Sequence, residues 1–114
     1  MSLSYARRFI WDMAVELAFD CVQVGMNFPN RKNNPILERL NESASLLVSH
    51  IRRDLKRMSR YGEKESYFET AQHFLSDMEL QIQIANGLGF LKKARLHKFQ
   101  RRISALEKLM EVKS

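Results

Sequence analysis

The chain has 114 residues, 45% hydrophobic and 28% charged, with a formal net charge of +6 at neutral pH. That balance counts against disorder and against a membrane span, and the length fits one domain able to bury roughly two-thirds of its unfolded surface. Four Gly and two Pro favour long helices over a sheet, and the single cysteine, Cys21, rules out an intrachain disulfide.

The first predicted helix runs from about Tyr5 to Met26 and stops before Phe28-Pro29. Arg7 and Arg8 precede an apolar stretch, as in a signal peptide. However, Asp12, Glu16 and Asp20 interrupt that stretch at helical spacing, which a signal core would not tolerate, so the expected compartment is the cytoplasm. Ile10, Ala14, Leu17 and Cys21 form one apolar side, and Trp11, Val15, Phe19, Val22 and Met26 form the next. An ordinary amphipathic helix has an apolar arc a little over 100°, and this one spans roughly twice that. One bundle core cannot hide both sides, so the surplus face is expected to meet another subunit.

Asn34-Pro35 is a good helix start, with Asn as N-cap and Pro at the first helical position. The second helix then carries Ile36, Leu40, Ala44, Leu47, Val48, Ile51, Leu55 and Met58 on one stripe and closes at Gly62. The third is expected from about Lys64 to Asn86, with Tyr67, Phe68, Ala71, Phe74, Leu75, Met78, Ile82 and Ala85 inward and Gly87 as a left-handed cap. Leu80 and Ile84 point away from that stripe, a second hint of an interface. The fourth covers about Lys93 to Val112, with Leu96, Phe99, Ile103, Leu106 and Met110 inward. Short connections between four such helices predict an all-α, up-down-up-down antiparallel four-helix bundle.

Charge is sorted along this framework. Basic residues outnumber acidic ones by six to three from Ile36 to Arg60 and by eight to two from Lys92 to Ser114, whereas Glu63 to Asn86 holds one Lys against five carboxylates. On the second helix Arg52, Arg53, Lys56, Arg57 and Arg60 lie opposite the apolar stripe, with Asp54 the one acidic residue among them. Their mutual repulsion, some tenths of a kcal/mol per i,i+4 pair, points to a polyanion that relieves it. Lys92, Lys93, Arg95, Lys98, Arg101 and Arg102 on the fourth helix form a second candidate group, and the first three oppose the helix dipole. No aromatic residue interleaves with the cations; Tyr61 is the nearest, and the pattern reads it as a loop or packing residue.

Two blocks carry a family resemblance. Trp11, Ala14, Glu16 and Leu17, followed by Phe28-Pro29, form the first. Ala71-Gln72, Leu75, Met78-Glu79, Gln81-Ile82, Ile84-Ala85 and Leu88-Gly89-Phe90-Leu91 form the second. Together they resemble a bacterial four-helix-bundle family first noticed in open reading frames within intervening sequences of large-subunit ribosomal RNA genes, over roughly Phe9 to Met110. The chain departs from that family at Val48–Asp54, where only Ile51 matches its usual Pro- and Gly-containing segment. A related branch, the accessory variability proteins of diversity-generating retroelements, likewise lacks the segment and is strongly basic. The resemblance implies a homopentamer working with a reverse transcriptase and its RNA template; the residues alone argue for more than one copy.

Other chemistries find little support. Asp12, Glu16 and Asp20 lack the Glu-x-x-His partners of a bundle metal site, and His50, His73 and His97 are scattered. They read as a solvated stripe or as intersubunit salt bridges. With no phosphate-cradling Gly-rich loop, nucleophile elbow or Cys/His cluster, no cofactor or enzymatic activity is expected. The reading is a basic, oligomeric scaffold for RNA or DNA; the alternative is an adaptor whose basic face meets an acidic protein.

Overall fold

The computed structural model of the chain describes residues 3–62 and 67–111, with side chains from residue 7 onward. Four α-helices, α1 (Leu3–Gly25), α2 (Pro35–Tyr61), α3 (Glu69–Gly87) and α4 (Lys93–Met110), and one 3-10 turn (Arg31–Asn33) make up the regular structure, and there is no strand among the described residues. The expected third-helix start at Lys64 and fourth-helix end at Val112 lie outside the described residues.

Local chemistry sets most helix boundaries. Asn34 Oδ1 accepts from the Ile36 and Leu37 amides at 3.1 and 3.2 Å, satisfying donors that the first turn leaves free, while its Nδ2 donates to the Pro29 carbonyl at 3.0 Å. From there α2 runs unbroken for 27 residues, about 40 Å at 1.5 Å per residue. The end of α3 differs from expectation. Gly87 remains helical and Gly89 is the left-handed residue, with φ 81°. The Phe90 amide donates to Ala85 O at 2.8 Å and the Gly89 amide to Asn86 O at 3.0 Å, the paired bonds of a Schellman motif.

The start of α3 is a further correction. Tyr67 and Phe68 form a turn, not the first turn of the helix, and Phe68 adopts φ 73°. A bulky side chain is rarely left-handed. Here the ring is buried and the Phe68 amide donates to Asp54 Oδ2 at 3.0 Å. Burial and a charge-assisted bond together offset the conformational cost.

Every helix contributes to one core. Ile10, Ala14, Leu17 and Cys21 meet Leu40, Leu47 and Ile51 of α2, Leu75, Met78 and Ile82 of α3, and Ile103 and Leu106 of α4 in a single buried cluster. Each helix packs on the next in sequence and α4 packs back on α1, so α1 lies across the core from α3, and α2 from α4. Phe28 and Phe90 meet with ring centroids 5.5 Å apart, which joins the α1–α2 and α3–α4 connections. No helix among the described residues is long and apolar enough to cross a membrane.

Candidate nucleic-acid interface

On α2 the expected cations are presented to solvent. Arg52, Arg53, Lys56, Arg57 and Arg60 are all exposed, on the side opposite Leu47, Ile51 and Met58. Helical spacing places Arg52, Lys56 and Arg60 on one ridge and Arg53, Arg57 and Tyr61 on the next. The second ridge and its neighbours border an open depression of about 630 Å³ lined by Arg53, Lys56, Arg57, Ser59, Arg60 and Tyr61.

The one carboxylate in this stretch does not neutralise the patch from outside. Asp54 is 4% exposed and faces the core side of α2, where Oδ2 accepts from the Phe68 amide. Arg53 Nε reaches its Oδ1 at 3.7 Å, and Arg53 also donates through an NH2 group to His50 Nδ1 at 2.9 Å. His50 in turn rests on Phe74, with ring centroids 5.3 Å apart. Arg53 is therefore held at the patch edge, and Arg52, Lys56, Arg57 and Arg60 stand further from the inward carboxylate.

The α4 group divides. Lys92, Lys93, Lys98 and Arg101 are exposed, while Arg95 is half-buried. Arg102 is a correction: rather than facing out, it turns to α1, hydrogen-bonding Asp20 Oδ2 and pairing with Glu16 Oε1 at 3.0 Å. Position 102 immediately precedes the buried Ile103, and 100° per residue sets it on the flank beside α1. The hydrogen bond to Asp20 raises the guanidinium pKa above its ordinary value despite the opposing effect of desolvation. Glu16 and Asp20 are thus partners within the subunit. The two basic groups also remain separate: α2 and α4 lie across the core, and Lys92 follows the turn where Phe90 touches Phe28.

The expected subunit contacts also divide. Val15, Phe19 and Val22 on α1, and Met26 just beyond its end, are 42–63% exposed, and Leu80 and Ile84 on α3 are 51% and 40% exposed. Leu88 adds a further exposed apolar side chain to α3's end of the chain. Trp11 is half-buried and packs against its own core. Its place between the inner and outer sides of α1 lets the indole reach inward.

Two residues stand differently from their sequence reading: Tyr61, read as a loop or packing residue, is the exposed last residue of α2 and borders the cationic depression, and His50, given no role, anchors Arg53. The spacing of Tyr61, four residues after Arg57, was the available signal. Among the described residues no group of three or more His, Cys, Asp or Glu side chains could hold a metal ion. Burial, reinforced by Asp20, pushes the Cys21 thiol up to about 12, so it is not a thiolate nucleophile at neutral pH. Compared with models of known protein families and with curated proteins, the chain matches none.

Proposed function

We propose that this protein is a non-enzymatic, homo-oligomeric scaffold that binds the backbone of RNA or DNA through the C-terminal half of α2. The observation that carries the reading is the inward turn of Asp54, which leaves five exposed cations from Arg52 to Arg60 while the one carboxylate within that stretch lies on the core side. A cationic ridge of this kind recognises phosphate spacing and shape, not base sequence. Lys92, Lys93, Lys98 and Arg101 form a second, weaker contact elsewhere on the same subunit.

The bundle is read as antiparallel, up-down-up-down. Ser43 bonds Asp77, His50 stacks on Phe74 and Asp54 caps Phe68, so contacts ascend α2 while descending α3. Exposed apolar residues on α1 and α3 supply two different faces on opposite sides of the core. Joining one face to the other in successive copies gives a head-to-tail contact, which closes into a ring at a suitable rotation. The resemblance to the retroelement accessory proteins suggests five copies and a reverse transcriptase as partner. The same apolar surface favours the second reading, an adaptor between proteins without nucleic-acid contact. Binding to unrelated RNA and DNA across a salt series separates the two. The scaffold reading expects tight binding at low salt that falls steeply with added salt; negligible affinity at low salt contradicts it.

A further inference from the structure

Tyr61 is the last residue of α2, and its side chain is 63% exposed. A tyrosine used for packing would bury its ring, and this one instead borders the same depression as Arg53, Lys56, Arg57 and Arg60. Gly62, beside it, has φ 81°, and a Cβ built there would meet nothing within 4 Å among the described residues. The ring thus stands exposed at the end of the helix, beside the cations that line the same depression.

The arrangement pairs two kinds of recognition. Arg and Lys side chains on successive helical turns hold phosphates, which any nucleic acid offers. An exposed aromatic ring recognises the face of a base, which a duplex keeps covered by its stacked neighbours and a single strand leaves open. The depression, about 630 Å³ and open to solvent, is larger than a lone phosphate requires. Tyr61 is the one aromatic side chain among those lining it.

We infer that Tyr61 and its surrounding cations form a subsite for single-stranded nucleic acid, the ring stacking on an unpaired base while Arg57, Arg60 and Lys56 hold the flanking phosphates. This rests on the basic-face reading above and adds to it a preference for unpaired strands. Stacking is tolerant of base identity, so the preference concerns strandedness and not sequence. The phenol oxygen has no required part in it.

The test compares wild type, Tyr61→Ala and Tyr61→Phe for binding to a fluorescent oligo-dT, an oligo-U and a duplex of equal length, by anisotropy at fixed low salt. Melting curves of the three proteins establish that each is folded. Tyr61→Ala is expected to lose about tenfold or more in affinity for both single strands while duplex affinity changes less than about twofold, and Tyr61→Phe retains wild-type affinity for all three. An equal loss on duplex and single strands, or no loss on either, overturns the subsite while leaving the basic-face reading intact. A wild-type protein that binds none of the three probes overturns both.

Discussion

Asp54 illustrates how little the identity of a residue says about its role until its direction is known. In the sequence it is one negative charge among five positive ones; in the fold it caps the Phe68 amide and joins the end of α2 to the turn before α3. Asp54→Ala leaves a buried N–H without a partner, and urea denaturation should register a loss of about 1–3 kcal/mol. Asp54→Asn keeps an oxygen acceptor and should recover part of it. Glu107 carries the opposite kind of tension. Burial, then Glu79 and Glu111, raise its pKa above the ordinary 4.5. Its folded form therefore holds a proton more tightly than its unfolded form, so the folded state loses stability as pH rises from 4.5 through the raised value. Glu107→Gln is expected to raise the melting midpoint at neutral pH and to have no such effect near about pH 3.5, where both states are protonated. An equal rise at both pH values would show that charge is not the cause.

At the scale of helices, period was the readable part. Leu40, Ala44, Leu47, Ile51 and Met58, or Leu96, Phe99, Ile103, Leu106 and Met110, repeat at three and four residues and are all buried. The start of α2 was equally legible, since Asn34-Pro35 announces a cap. Asn34→Ala should cost about 1 kcal/mol, within the usual range for losing a side-chain cap. Asn34→Asp should cost less by retaining the acceptor, a ranking that denaturant midpoints can check. The beginning of α3 could not be read this way. Tyr67 and Phe68 continue the apolar period, so nothing local distinguishes helix from a left-handed turn; the deciding contact is Asp54, fourteen residues earlier. Gly87 and Gly89 are equally plausible caps by composition, and the Schellman bonds select Gly89. Arg102 eluded pattern for a related reason. A charged position flanking a core residue can point outward or to a neighbouring helix, and only the packing of α1 against α4 places Glu16 and Asp20 within its reach.

For the whole molecule, α1 and α3 carry the exposed apolar side chains and face one another across the core, while the two basic groups occupy α2 and α4. The apolar width of α1 was legible from its arc, with Trp11 half-buried and Val15, Phe19 and Val22 exposed. The proposed assembly follows from those faces. Phe19→Asp and Ile84→Asp, both at exposed positions, are expected to lower the mass measured by light scattering while leaving helical content and cooperative melting intact. A monomeric wild type would contradict the assembly. The central claim is that the α2 cations contact phosphate, and its most direct test is the slope of log affinity against log salt. Wild type is compared with a variant carrying Arg53→Ala, Lys56→Ala, Arg57→Ala and Arg60→Ala, on one duplex. Each lost phosphate contact should reduce the slope by about 0.9, so the variant is expected to bind more weakly and with a slope shallower by about 2–4. An unchanged slope, or no wild-type binding at low salt, would contradict the account.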